Sequence, residues 1–185
     1  MELKLEIIKR TDIRLLANMK VHYSKPKGFV GRNICYAIIC NGRYYGAIVG
    51  GSATKFLKGR NEFFGFDKNI PLNCIVNNIF YHVEPIGNKY PLRNFTQKVL
   101  LLFEKQISIE WFEKYGDKVI GFESLVELPR TGELYRRCGW VEVGQTKGFT
   151  CKRIAGKGSD SWTGKRIWNT KDLRPKIVFC KKVIQ

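Results

Sequence analysis

The stretch Thr131–Phe149, TGELYRRCGWVEVGQTKGF, decides how the rest of the chain is read. Thr131–Cys138 reads as a short helix. Gly139 takes the position just past its end, where left-handed backbone favours glycine. Trp140 then opens a strand, Trp140–Gly144, as its first core residue, and a basic tail follows. Tyr135, one turn before the cap, is either a core aromatic or a working phenol.

Upstream, Lys118–Val126 reads as a strand and Pro91–Trp111 as the main helix, with Leu92, Phe95, Val99, Leu102 and Phe103 at helical spacing. Cys74–Val83 reads as a strand, and residues 50–72 as a long loop rich in Gly, Lys and Phe. Ile34–Cys40 and Arg43–Val49 flank Asn41-Gly42, the favoured type I′ hairpin dipeptide. Near the start, Leu3, Leu5 and Ile7 alternate with charged residues as a strand does. Thr11 is positioned to cap a short helix, Asp12–Lys20. Ile177–Val183 is the final strand. This order predicts a single-domain α+β fold with a mixed sheet, and the long helix between two strands implies parallel pairing there.

The chain has 185 residues and a formal net charge of +17, with 44% hydrophobic and 13% aromatic residues. That composition excludes a disordered basic tail. No apolar run approaches the ~20 residues of a bilayer span, and MELKLEIIKR has no signal-peptide core. Cys35, Cys40, Cys74, Cys138, Cys151 and Cys180 are scattered without zinc spacing, as expected of reduced thiols in a cytoplasmic protein.

The charge is unevenly placed. Residues 20–60 hold eight basic and no acidic side chains, and residues 146–185 hold eleven basic and two acidic ones. Such an excess on one small domain repels itself and points to a polyanion partner, nucleic acid foremost. A solvated basic surface is the plainer alternative.

Leu134-Tyr135-x-x-Cys138-Gly139-Trp140 resembles the last helix and strand of the GNAT acyltransferases, and the element order is similar to theirs. The resemblance implies a GNAT-like sheet flanked by helices, with Tyr135 as general acid toward a leaving group. More narrowly, His22-Tyr23-Ser24, the segment LVELPRTGELYRRCGWVEVGQTKG (Leu125–Gly148) and the ending LRPKIVFCKKV resemble Mom-type DNA modification proteins and the related Druantia-type anti-phage proteins. That likeness implies transfer of a carbamoylmethyl-type group to the exocyclic N6 amine of adenine, protecting phage DNA from restriction. An acyltransferase acting on RNA or a protein amine, and a non-catalytic DNA-binding component, are the alternatives.

Adenine N6 is a poor nucleophile because its lone pair is delocalised into the ring, so a base or an activated donor is required. His22, paired with Tyr23 in a basic loop, is a candidate base or metal ligand, or else a phosphate contact. His82 lies in an apolar strand and reads as a core histidine. Glu123 and Glu127, at a strand end facing the expected cleft, either orient His22, take the proton or help bind a metal, or simply answer nearby arginines. Iron is compatible with His, Tyr and carboxylate ligands, though no spacing demands a metal.

GNAT acyltransferases cradle coenzyme A phosphates in a Gly-rich loop that opens the long helix. Here that junction, Glu84–Asn94, holds a single glycine, Gly87, followed by Arg93 and Asn94, so the donor's identity stays open between an acyl-coenzyme A and something else. A paired adenine must be flipped out of the duplex to expose N6. The aromatic and basic residues of the tail fit such a task, and Arg32, Lys147, Arg153, Lys157, Trp162, Lys165 and Arg166 are the expected DNA contacts.

Overall fold

Asn41 and Gly42 close their hairpin with positive φ at both positions, 49° and 75°, as a type I′ turn requires. The computed structural model describes residues 2–67, 69, 71–154, 165–169, 171 and 173–183. In chain order the elements are β1 (Leu3–Ile8), α1 (Ile13–Val21), β2 (Asn33–Cys40), β3 (Arg43–Ser52), α2 (Lys58–Phe64), β4 (Ile75–Val83), α3 (Phe95–Tyr115), β5 (Gly121–Glu127), α4 (Glu133–Arg137), β6 (Val141–Gln145), β7 (Thr150–Ile154), β8 (Lys165–Asn169) and β9 (Lys176–Lys182).

Seven strands form one mixed sheet in the order β1-β2-β3-β4-β5-β9-β6, in which only β4 and β5 run parallel. Helices α3 and α4 cover one face, over a core that includes Val99, Phe103, Trp111, Tyr135, Trp140 and Phe179. Helix α1 packs on the other face through Leu15 and Met19, and the α2 segment through Leu57, Phe63 and Phe64. Gly139 adopts φ 78° at the end of α4, and Trp140 behind it is buried.

Four expectations need correction. The first helix is capped by Asp12, whose carboxylate accepts from the main-chain N–H of Arg14, rather than by Thr11. The main helix starts at Phe95, because Asn94 is held in the left-handed region and breaks any earlier turn; it runs on to Tyr115, where Gly116 ends it. The supposed loop 50–72 contains α2, whose one fully buried side chain is Arg60 while Phe63 and Phe64 are only partly buried, so no hydrophobic period announced it. The basic tail is not featureless: β7 and β8 form a two-stranded ribbon.

Two details of the sheet make the site. Parallel pairing of β4 with β5 lasts only from Ile75/Gly121 to Asn77/Glu123, after which the strands part. On its other side β4 bulges at Ile79, since Val49 pairs with Phe80 and Gly50 with Asn78. A bulge shifts the alternation of side chains. Asn78 and Tyr81 therefore face α3 and α4, while Phe80 packs with α1.

Candidate active site

The fork between β4 and β5 opens into a cavity of about 740 Å³, lined from one face by His22, Tyr23 and Ser24 and from the other by Gly132, Leu134 and Tyr135. Asn78, Ser124 and Val126 form its floor. The cavity thus joins the two faces of the sheet.

Tyr135 is buried, and its phenol donates to Asn78 Oδ1 at 2.7 Å. Its ring stacks on Phe179 at 5.5 Å and meets Trp140 edge-on at 5.0 Å. Burial pushes its pKa well above the ordinary phenol value, so the proton stays on oxygen. Ser124 Oγ donates to the main-chain carbonyl of Asn78 at 3.2 Å, the last tie across the fork. Asn78 was not singled out from sequence; two adjacent asparagines inside the apolar run IVNNIF were the available signal.

His22 is not in an open loop but ends α1, 6% exposed, with its ring 4.6 Å from that of Phe80 and 4.2 Å from that of Tyr23. Its Nδ1 lies 2.8 Å from Ser24 Oγ. Desolvation first, then the neighbouring His82, lowers its pKa from 6.5 to about 4, so the imidazole is neutral at physiological pH. Tyr23 is exposed, with the Arg130 guanidinium 3.5 Å above its ring centre. His82 is not a core residue: it lines the cavity, and its Nε2 pairs with Glu84 at 2.7 Å.

Glu123 is the clearest correction. Strand alternation turns it to the α2 face, where it is fully buried and accepts from Arg60 Nη1 and from the main-chain N–H of Thr54, each at 2.5 Å. It does not reach His22. Its position in the last paired row of β4 and β5 makes it part of the hinge of the fork instead. Glu127, beyond it, answers Lys176 at 3.7 Å and Arg174 at 4.0 Å.

The donors expected for iron are accordingly parted, with His22 turned to Ser24, Tyr23 beneath Arg130 and Glu123 held by Arg60 and Thr54. Among the described residues no three His, Cys, Asp or Glu side chains converge on a metal-sized site. The residues present do not fit that ion.

Gly87, Arg93 and Asn94 are exposed in the turn between β4 and α3, outside the cavity. Gly87, Asn88 and Asn94 all have positive φ, and no side chain caps α3. Lys98 is the first to bond back, to the carbonyl of Asn94, and among the described residues nothing caps the N–H groups of Phe95, Thr96 and Gln97. Tyr81, in the cavity wall, donates to the carbonyl of Thr96 at 2.7 Å and ties this helix start to the cavity.

Of the expected DNA contacts, Arg32 is committed elsewhere: it pairs with Asp117 and covers the Tyr115 ring at the far end of the sheet. Lys147 is exposed and lines a second cavity, of about 480 Å³, with Ser24, Glu127, Phe149, Arg174 and Lys176. Ser24 and Lys176 belong to both cavities, so the two adjoin. Arg153, Lys165 and Arg166 lie in the β7–β8 ribbon. Lys157 and Trp162 lie outside the described residues.

Comparison with solved structures gives the architecture its place. A Bacillus subtilis acetyltransferase in complex with coenzyme A superposes with a TM-score of 0.61 at 11% identity, covering 99% of this chain and 100% of that one. The fold is that of the GNAT acetyltransferases. A GNAT acetyltransferase from Elizabethkingia anophelis with acetyl-coenzyme A bound gives a TM-score of 0.54 at 11% identity over 98% of each chain. An aminoglycoside acetyltransferase in complex with coenzyme A gives 0.57 at 8% identity, over 98% of this chain and 95% of that one. No protein-family model and no curated protein matches the sequence. Among the described residues, no helix is long and apolar enough to cross a membrane.

Proposed function

We propose that the protein is a group transferase that places an acyl-type group on an amine, and that this amine is N6 of adenine in DNA. The observation that carries the reading is the cavity through the sheet, with the Ser24–His22 pair on one side and the Tyr135 phenol on the other. A transfer to an amine needs a proton taken from nitrogen and one given to the leaving group.

Ser24 lines both cavities, and His22 Nδ1 stands behind its Oγ. A nitrogen with so low a pKa is a weak base. Its part is to accept a hydrogen bond from Ser24 and draw the amine proton along that line. Tyr135, whose proton burial keeps on Oη, is the donor toward a leaving group once its O–H turns from Asn78 Oδ1 to the departing atom. Asn78 orients that phenol, and Ser124 holds Asn78.

Gly87, Arg93 and Asn94, with the uncapped N–H groups of α3, are the groups that would hold a phosphate-bearing donor. The uncapped helix start fits a phosphate, although one glycine replaces the expected run. An acyl-coenzyme A held there supplies an electrophilic carbonyl and a thiol leaving group. The DNA part of the reading rests on the +17 charge, on the likeness to Mom-type proteins, and on Arg130, Lys147, Arg174 and Lys176 at the mouths of the cavities. A second reading, an acyl-coenzyme A-dependent transferase acting on RNA or a protein amine, uses the same cavity and is favoured by the fold shared with acetyltransferases solved with that cofactor.

Thiol release from acetyl-coenzyme A by the purified protein, with DNA, RNA or a basic peptide supplied in turn, tests both readings. DNA-dependent release that Tyr135→Phe abolishes supports the first. Release only with RNA or peptide supports the second, and no release with any acceptor refutes transfer from this donor.

A further inference from the structure

The β7–β8 ribbon is an extension of the sheet's β6–β9 edge. Gln145 pairs with Ile177; the N–H of Thr146 bonds the carbonyl of Lys176 at 2.9 Å, and the N–H of Arg174 bonds that of Gly148 at 3.0 Å. The ladder resumes at Thr150/Asn169 and runs to Ile154/Lys165. Gly148 makes the crossing possible: it has φ 77°, and a Cβ there would meet the Arg174–Pro175 backbone at 2.5 Å. The ribbon's base is therefore built, and it stands over the second cavity, beside Ser24.

Its composition sets it apart. Residues 146–154 and 165–176 together carry eight Lys and Arg against one Asp. Register sets Arg153 directly opposite Arg166, with Lys152 and Lys165 in the flanking rows. Like charges facing each other across a two-stranded ladder destabilise it, and an isolated ribbon is marginal to begin with. A polyanion between or along those positions reverses the sign of that interaction.

We infer that the β7–β8 ribbon, founded on Lys147, Arg174 and Lys176, docks in the major groove of double-stranded DNA and holds the duplex against the cavity. A two-stranded ribbon matches the roughly 12 Å width of the B-form major groove. The five paired rows extend about 17 Å, enough to cross that groove. A-form RNA presents a deep, narrow major groove that side chains cannot enter, so the ribbon selects DNA over an RNA duplex. The inference rests on the nucleic-acid acceptor of the preceding reading, but not on catalysis.

The test is fluorescence anisotropy of the full chain with a labelled 20-bp DNA duplex and an RNA duplex of the same sequence, without donor. The DNA duplex is expected to bind at least tenfold more tightly than the RNA duplex. Arg153→Glu with Arg166→Glu is expected to lower DNA affinity at least tenfold and to flatten the salt dependence by about two phosphate contacts. Lys25→Glu with Lys27→Glu, the same charge change on another loop, is the control and is expected to have a smaller effect. Methyl green, a major-groove ligand, should displace the protein, and netropsin, a minor-groove ligand, should not. Equal affinity for RNA, equal loss in the control, or displacement by netropsin alone would overturn the inference. A ribbon variant that unfolds is recognised by its melting curve, and the RNA and groove-ligand comparisons then decide on the unmodified chain. Intact duplex binding without any adduct would count against transfer only; adduct formation with no preference for the DNA duplex would count against the ribbon only.

Discussion

Tyr135 donates its hydrogen bond to Asn78 across the gap where β4 and β5 part, so one residue of α4 and one of the sheet are locked at the floor of the cavity. The bond fixes the phenol's direction, and burial keeps its proton in place. Tyr135→Phe leaves the Asn78 Oδ1 without this partner in a buried site. It should cost about 1–3 kcal/mol of stability, read from urea unfolding, and lower transfer about 100-fold. Asn78→Ala should leave the phenol present but without the partner that holds it at rest, with a smaller loss of rate.

Ser24 and His22 act in the account as one unit. Ser24→Ala and His22→Ala should each lower kcat by at least about tenfold, and the double variant should be little worse than either. Independent, multiplying losses in steady-state kinetics would separate the two residues and break the proposed line.

His22 also gives a pH signature. Its native pKa lies near 4 against 6.5 for the free group. The unfolded chain therefore takes up this proton first as pH falls, and folding stability drops between about pH 6.5 and 4, by at most about 3 kcal/mol. Below pH 4 both states are protonated and the decline from this group ends. Urea midpoints from pH 7 to pH 4 should show the wild type losing its advantage over His22→Gln across that window. A constant difference would show that the ring is not desolvated.

Arg60 and Glu123 form a buried pair whose value lies in its geometry. Arg60→Met alone strands a carboxylate and should cost about 3–5 kcal/mol. Adding Glu123→Met should recover much of that stability, while transfer stays impaired because the fork loses its pin to Thr54. Recovery of full activity in the double variant would show the pair to be structural only.

The sheet was legible in the sequence wherever a local rule decides. Asn41-Gly42 specifies its own turn, Gly139 its cap, and the spacing of Phe95, Val99 and Phe103 a helix. The site was legible in types but not in partners. His22 and Tyr135 were found from their motifs, yet nothing local tells that α1 ends against Phe80 and buries the imidazole. Glu123 was misplaced because strand parity sets its face, and one residue decides between cleft and core. Arg60 went unseen because a buried arginine on a short helix looks like a surface charge until its carboxylate is located.

The central claim is that this cavity modifies adenine in DNA, and nucleoside mass spectrometry of plasmid DNA tests it most directly. Plasmid from bacteria expressing the wild type should contain a new adenosine adduct that is absent with Tyr135→Phe, and the adduct's mass identifies the transferred group. Unmodified nucleosides from cells holding abundant, folded wild-type protein would contradict the claim.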